Sequence, residues 1–370
     1  MLHYRDCCPV LAVAIGAALI AGPLSVSADV KLYGKVHVAM TSLDAKGTDA
    51  GGDAASRRNT TVSSNGSRWG LDVTEKLSGS LAAIARLEQQ IAVDGETADQ
   101  ASRNRYVGLK GNFGTIFAGV HDTPFKDLSG KVELFPDYVG YNRDILAATA
   151  NSGQKWDLRP ANSVRYQTPN FNGLQAIYQY SADTTASTSV EDNRRRADSL
   201  GVAYTAGPLY LAYAHETHRL NTIADGGNPT ETGQRFAGSY SVGAFKLVAL
   251  YQDLKDLGGT VAGASSIKRK SWGVGGAYTG GNNVFKLQYY RADDLSNNAA
   301  GASQPDTGAR MWTVGWDHLF SKTTLVYIAY AKTDNSTNAA FTVNAAHSDV
   351  ITPATGQDPS ALSLGMIVDF

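Results

Sequence analysis

The side chains in this sequence best suited to chemistry are its histidines and the acids beside them. His121 and Asp122 are adjacent, and His215 and His218 are three residues apart in an alternating segment. Adjacent residues of an extended strand point to opposite faces, and so do residues three apart. A nucleophile or a metal needs its partners together on one face. We therefore expect no catalytic centre, no metal site and no cofactor.

The start of the chain has the marks of an export signal. Residues 1–28 hold Arg5, then a short apolar run, then small residues ending at Ala28, which predicts cleavage after Ala28. Cys7 and Cys8 lie in this segment, so the mature chain is expected to have no cysteine and no disulfide. No later stretch approaches the roughly 18 consecutive apolar residues of a membrane helix.

Composition and alternation favour an all-β protein. The formal net charge is −1, which argues against a nucleic-acid partner, and Gly (38) and Tyr (18) are plentiful. Apolar and polar residues alternate in several segments, most clearly near the C-terminus, where Leu362, Leu364 and Met366 oppose Ser363 and Gly365. This is the pattern of strands with two unlike faces, although a β-sandwich would give the same pattern.

The lengths of the connections separate a barrel from a sandwich. Seven short turns alternate with eight long polar connections after residue 28, which predicts 16 strands with both ends on one side. Transmembrane barrels have tight turns at one end and long loops at the other. A barrel of roughly 16 strands is wide enough to keep an aqueous channel. We therefore predict one antiparallel β-barrel domain over residues 29–370.

Several segments together resemble a known family. In chain order they are Leu32-Tyr33-Gly34-Lys35, Ser67–Gly70, Arg86–Gln89, Asn104–Leu109, Phe113–Thr115, His121–Phe125, Asn162–Tyr166, Pro169–Gly173, and Ser363–Met366 with the terminal Phe370. This series is similar to the Gram-negative general porins, especially those of neisserial and other β-proteobacterial type. The resemblance implies a homotrimer of 16-stranded barrels in the outer membrane that passes ions and small hydrophilic solutes.

The same resemblance implies that loop 3, about residues 121–160, folds into the barrel and narrows the pore. Its acidic candidates at the constriction are Glu133 and Asp137. The basic candidates on the facing wall, implied by the matched segments, are Lys35, Arg68, Arg103 and Arg159.

Strand alternation gives an independent check on these basic residues. Lys35 and Arg68 oppose apolar neighbours and are predicted to face the lumen, and Arg165 joins them by the same criterion. A charge facing lipid near the bilayer centre would cost about 2–4 kcal/mol. Arg103 shares a face with Val107 and is not supported by alternation.

Opposed rows of charge would place an electric field across the narrowest part of such a pore. This field orients water and polar solutes and disfavours apolar molecules. Because the basic candidates outnumber the acidic ones, we expect weak selectivity for anions. The alternatives left open are a substrate-specific channel, an outer-membrane barrel enzyme and an adhesin.

Aromatic residues near the predicted strand ends are expected to form girdles at the membrane interfaces, with burial at a subunit contact as the alternative. They are Tyr33, Trp69, Tyr106, Trp272, Trp312 and Trp316. Phe370 resembles the signal that the barrel-assembly machinery reads. Outer-membrane lipid and lipopolysaccharide are the other expected partners.

Overall fold

Antiparallel strands make up most of the structure. The computed structural model describes residues 28–46, 57–95, 102–147, 156–184, 195–220, 229–259, 265–343 and 351–370. The β segments in these ranges are β1 Asp29–Lys46, β2 Arg57–Ser64, β3 Arg68–Ser78, β4 Leu81–Gln90, β5 Ser102–Gly111, β6 Gly114–Val120, β7 Ser163–Gln167, β8 Leu174–Ser181, β9 Arg196–Ala206, β10 Leu209–Arg219, β11 Thr230–Val242, β12 Phe245–Lys255, β13 Arg269–Gly280, β14 Asn283–Ala292, β15 Ala309–Leu319, β16 Thr324–Asn335 and β17 Asp358–Asp369. Helices α1 (Pro124–Ser129) and α2 (Arg143–Leu146) lie between β6 and β7. No helix in these ranges has the length and apolar content to cross a membrane.

Seventeen β segments in the described residues form 16 strands. Both β2 and β3 pair with β1, β2 along its second half and β3 along its first half. The break between them at Asn65–Ser67 therefore interrupts one strand and does not start a new one. The predicted 16-stranded antiparallel barrel is confirmed.

The barrel closes between its first and last strands. β1 pairs with β17 from Lys35 opposite Asp369 to Lys46 opposite Asp358. Beyond this ladder, Gly34 and Phe370 exchange two backbone hydrogen bonds of 2.9 and 3.0 Å. A Cβ atom on Gly34 would lie 2.2 Å from the Phe370 ring, so the glycine makes room for the ring to cover the seam. Closure satisfies backbone groups that lipid cannot.

The two faces of the wall follow the predicted alternation. On β17, Leu362, Leu364 and Met366 are 43–58% exposed on the outer face, whereas Ser363 between them is fully buried on the inner face. The two ends of the barrel also differ as predicted, with turns of two to six residues at one end and long loops at the other. Gly207 and Gly243 hold these short turns with φ of +54° and +57°, a conformation that glycine adopts without steric cost.

One sector of the lumen is filled by an apolar core. The segment between β6 and β7 (loop 3, residues 121–162) and the segment between β16 and β17 (loop 8, residues 336–357) both contribute to it. Their buried residues include Val132, Phe135, Ile145, Phe341 and Val343, which pack against wall alanines at positions 39, 329, 331 and 361. The inward fold of loop 3 was predicted, but this contribution from loop 8 was not.

The expectation for the aromatic girdles is correct only in part. Trp69, Trp272 and Trp312 point outward, as does Trp316 on the same face of β15 as Trp312. Tyr33 and Tyr106 point inward instead. The Tyr33 hydroxyl donates to Glu88 at 3.1 Å, because Tyr33 has the same parity on β1 as the inward Lys35. The Tyr106 ring stacks on Phe117 with 4.1 Å between the ring centroids.

Candidate functional site

Loop 3 lies against glycines on the inner face of the wall. A Cβ atom at any of four of these glycines would come within 2.4–2.9 Å of a loop side chain. The pairs are Gly201 with Leu128, Gly233 with Trp156, Gly275 with Leu134, and Gly315 with Phe135. Any larger residue at these positions would push the loop away from the wall. At these four positions an inward glycine marks loop contact, a signal that the alternation argument did not use, whereas Gly273 and Gly365 make room for wall tyrosines.

The tip of loop 3 is held by a buried ion pair. Lys286 on β14 bonds Asp317 on β15 with 2.7 Å between Nζ and Oδ2. The Lys286 ammonium also lies 4.1 Å from the ring centroid of Tyr138 and 4.6 Å from that of Phe135. A cation over an aromatic face is attracted to it, and more strongly where water is excluded. This cluster pins residues 135–138 to the wall.

The far end of loop 3 is held by a second buried charge cluster. Asp157 accepts a 2.5 Å hydrogen bond from Arg235 on β11 and lies 3.4 Å from the Nε of Arg143. Burial alone would raise the pKa of Asp157, but the two arginines lower it, which keeps the carboxylate charged. Trp156 stacks on His218, which is buried between Glu216 and Glu231.

Two of the predicted constriction residues are buried supports. The Arg165 side chain is 5% exposed, and its Nη1 contacts Asp127 Oδ2 at 2.7 Å and donates to the Asp122 carbonyl at 2.8 Å. It ties β7 to the start of α1. Glu133 is also buried, and it accepts backbone N–H bonds from Phe135 at 2.6 Å and Asn142 at 3.1 Å. The geometry thus differs from the expectation that Arg165 and Glu133 face the open pore.

The other basic candidates lie together on the wall. Lys35 and Arg68 are directly opposite each other on β1 and β3, on the inner face. Glu88 on β4 bridges two arginines, with 3.8 Å to Arg68 Nε and 2.6 Å to Arg103 Nε. Arg68 and Arg159 are both close enough to Arg103 to repel it. Glu88 was not among the predicted acids. On β4 it lies two residues from Arg86, so alternation places both side chains on the same face.

Arg103 faces inward because of a β-bulge. Between the pair Leu87–Arg105 and the pair Gln89–Ser102, β5 holds one residue more than β4. An extra residue reverses the parity of everything beyond it, since side chains alternate with period two. Val107 is therefore 65% exposed on the outer face while Arg103 is 8% exposed on the inner face. Alternation read from the sequence alone could not show this.

Asp137 places a negative charge opposite the basic wall. Its carboxylate lies 3.5 Å from Arg68 Nη1 and within about 3.0 Å of where a Cβ atom of Gly66 would be. The break between β2 and β3 thus lies where the loop tip approaches. Asp137 has a φ of +65°, which a non-glycine residue rarely adopts and which costs of order 1–3 kcal/mol.

Asp122 is a second acid that the sequence analysis did not assign to this site. Lys126 Nζ lies 2.5 Å and Arg159 Nε lies 2.9 Å from its Oδ1 atom. Burial alone would raise the pKa of Asp122, but these two cations hold it well below its ordinary value. Asp122 therefore stays ionised across the physiological range.

The charged ring is a set of ion-paired charges on loop 3, on β3–β5 and on β11, of which Arg68, Asp137, Arg143 and Arg159 are partly exposed. Its cations are Arg68, Arg103, Lys126, Arg143, Arg159 and Arg235, and its acids are Glu88, Asp122, Asp137 and Asp157. Six cations minus four acids leave a net charge of +2. Among the described residues there is no group of three or more His, Cys, Asp or Glu that could hold a metal ion.

Replacing Lys286 by Met is expected to loosen the tip of loop 3. Breaking a buried ion pair leaves the other charge unpaired and costs about 3–5 kcal/mol. Amide hydrogen exchange at Tyr138, Gly140 and Asn142 should become at least tenfold faster. The matched control is Lys246→Met, because Lys246 contacts the same loop through one exposed hydrogen bond to the Lys131 carbonyl. Equal acceleration in both variants would contradict the assignment.

Glu133 is expected to make stability depend on pH. Burial raises the pKa of Glu133 to about 7, although the two backbone N–H bonds oppose this shift. At pH values between the pKa of Glu133 in the unfolded chain and its pKa of about 7 in the folded protein, the folded protein holds a proton that the unfolded chain lacks. The contribution of Glu133 to the free energy of unfolding therefore falls as pH rises. The fall is on the order of 1 kcal/mol per pH unit.

Urea unfolding from pH 4.5 to 8 measures this effect. Glu133→Gln should flatten the curve relative to the unaltered protein, because glutamine does not titrate. Glu75→Gln on the outer face of β3 is the control and should leave the slope unchanged. An unchanged slope in Glu133→Gln would exclude the assignment.

Known proteins match the chain over most of its length. The family model for Gram-negative porins matches residues 12–338. The chain is 30% identical over 327 residues to outer membrane porin protein 32 of Delftia acidovorans, covering 85% of this chain and 86% of that protein. It is 28% identical over 335 residues to the major outer membrane protein P.IB of Neisseria sicca, covering 85% and 91%.

A solved structure matches as well. The anion-selective porin from Comamonas acidovorans superposes with a TM-score of 0.73 at 26% identity, covering 93% of this chain and all of that one. The family model covers well over half of the sequence. The chain therefore belongs to the Gram-negative porin family.

Proposed function

We propose that the charged ring is the constriction of a general diffusion channel. The protein is a multi-pass barrel of the outer membrane that passes ions and small hydrophilic solutes passively. The observation that carries the assignment of the constriction is the partial exposure of four of its charges. The side chains of Arg68, Asp137, Arg143 and Arg159 are 17–24% exposed, so they stay in contact with water while they are held in ion pairs.

The ring favours weak anion selectivity. Its net charge of +2 raises the local concentration of anions where the lumen is narrowest. Lys35, on the same face and opposite Arg68, adds a further positive charge whose carboxylate neighbour, Asp369, is 3.7 Å away. Arginine suits this role because it stays charged at all physiological pH values. The resemblance to an anion-selective porin is consistent with this direction.

Replacing Arg68, Arg103 and Arg159 together by Gln is expected to reverse the selectivity. The ring would change from +2 to −1, because its four acids, Glu88, Asp122, Asp137 and Asp157, would remain with only three cations, Lys126, Arg143 and Arg235. Reversal potential in a KCl gradient across a planar bilayer measures the change. Its sign should change from that of an anion-selective pore to that of a cation-selective pore. The control is Arg219→Gln on the outer face. A triple variant that still prefers anions would refute the proposed constriction.

The outer face supports a homotrimer, whose subunit number comes from the family resemblance. Outward strand positions of β7–β16 hold many aromatic residues, among them Tyr166, Tyr204, Tyr240, Tyr278 and Tyr289. In the described part of β1–β6, Trp69 is the one aromatic residue on the outer face. Aromatic girdles mark surfaces that meet the lipid headgroups. We infer that β1–β6 face a neighbouring barrel.

The remaining partners follow from the location. Lipopolysaccharide and outer-membrane lipid contact the aromatic face, and the barrel-assembly machinery inserts the protein. Cleavage of an export signal after Ala28 also remains part of the proposal, although residues 1–27 lie outside the described ranges. The substrate-specific channel, the adhesin and the enzyme are the alternatives. The described histidines give the enzyme no support, since His215 points outward while His218 is buried in the wall.

Deleting Phe370 is expected to lower the yield of assembled barrels without changing the conductance of those that form. Phe370 is 56% exposed and lies at the seam, outside the lumen. The fraction of heat-modifiable protein in outer membranes measures assembly, and single-channel recording measures conductance. Phe370→Tyr, which keeps a terminal aromatic ring, is the control. Normal assembly of the deletion would exclude a role as assembly signal.

A further inference from the structure

Three lysines line the lumen at the short-turn end of the barrel. Lys31 on β1, Lys76 on β3 and Lys110 on β5 are all exposed to water. Each lies an even number of residues along its strand from a side chain on the inner face, and these inward side chains are Lys35, Arg68 and Tyr106. Because side chains alternate with period two, the three lysines point into the lumen as well.

The three lysines form no ion pair with any residue that the structure describes. Other inward charges of the same region are paired, since Asp72 contacts Arg86 at 2.6 and 2.7 Å. The exposed Asp29, at the start of β1, is a single negative charge against three positive ones. Unpaired like charges repel one another and add nothing to the stability of the barrel. Folding therefore does not explain why lysine stands at these positions.

Lys76 and Lys110 lie in one row of the sheet. Ala82 on β4 is opposite Lys76 on one side and opposite Lys110 on the other. Neighbouring strands are about 4.8 Å apart, so the two lysine Cα atoms are roughly 10 Å apart. The small side chain of Ala82 leaves the space between the two long side chains open. The row continues with the neutral Thr115 and Gln167, so a hydrated wall at this level does not require charge.

The lysines are separated from the charged ring along the same wall. Lys76 is eight residues from Arg68 on β3, which is roughly 26 Å along an extended strand. The screening length at physiological ionic strength is about 8 Å. The ring and the lysines therefore act on an ion one after the other. Because both include β3 and β5, an anion that passes the ring along this wall meets Lys76 and Lys110 next.

We propose that Lys76 and Lys110, supported by Lys31, bind small polyvalent anions at the short-turn mouth of the channel. This inference rests on the proposed function of the barrel as a diffusion channel. A lysine ammonium is a compact charge on a flexible stem, so it can follow acceptors of different geometry. Two ammonium groups beside one open position suit an anion with two or more carboxylate or phosphate groups. A monovalent anion meets one ammonium at a time and is held weakly.

Block of the chloride current by citrate in a planar bilayer tests the proposal. In 0.1 M KCl, citrate should block each channel at a lower concentration from one side than from the other, because the charged ring lies between the lysines and the long-loop side. In the double variant Lys76→Gln, Lys110→Gln, the half-blocking concentration on the sensitive side should rise by about fivefold for each lysine removed. The difference between the two sides should shrink accordingly, and acetate should block neither protein.

The matched control is Lys270→Gln with Lys322→Gln. Lys270 is exposed on the outer face of β13, and Lys322 lies in the short turn between β15 and β16, so neither lines the lumen wall. All three proteins should have similar conductance in 1 M KCl, where the screening length is only about 3 Å. Similar conductance shows that the variants form open barrels.

Three results would overturn the lysine site. These are equal block from the two sides of the unaltered protein, unchanged block in the double variant, and an equal loss of block in the control. Reversal potential in a KCl gradient separates this proposal from the proposed constriction. A channel that prefers no ion but is still blocked by citrate from one side would refute the charged ring and leave the lysine site standing.

Discussion

An unpaired strand edge cannot exist in lipid, and this constraint governs the whole molecule. Each backbone N–H and C=O in the hydrocarbon needs a partner within the protein. The ladder between β1 and β17 supplies the last of these partners, and Gly34 with Phe370 extends it to the C-terminus. Sixteen strands then enclose a lumen too wide for wall side chains to fill. The loops decide how much of that space remains open to water.

Loop 3 and loop 8 use the inner wall in two ways. Alanines and glycines form a smooth surface on which apolar residues of the loops pack, and Gly315 with Phe135 is one such contact. Buried charges then fix the loop at separate points. Lys286, ion-paired to Asp317 on the wall, contacts the aromatic rings of the loop tip, and Arg235 binds Asp157 near the end of the loop. The charges that keep contact with water lie where loop 3 faces β3–β5. These apolar contacts thus hold the charged ring in place.

The sequence predicted the fold better than it predicted the site. Alternation and connection length were enough for 16 strands, and parity placed Lys35 and Arg68 on the inner face. Arg103 could not be placed that way, because a bulge in β5 reverses the parity and leaves no mark in the composition. Glu133 and Asp137 look equivalent in sequence, but the backbone of the loop turns one into a buried acceptor and the other toward Arg68. Such differences depend on the folded path of the loop.

Single-channel conductance of the purified protein tests the central claim most directly. A closed barrel with a water-filled lumen should give a current proportional to the bulk conductivity of the solution over a tenfold range of KCl concentration. That result would show ions moving through a hydrated pore without strong binding. A conductance that saturates at low salt would indicate a specific binding channel, and a barrel that inserts but carries no current would contradict the account.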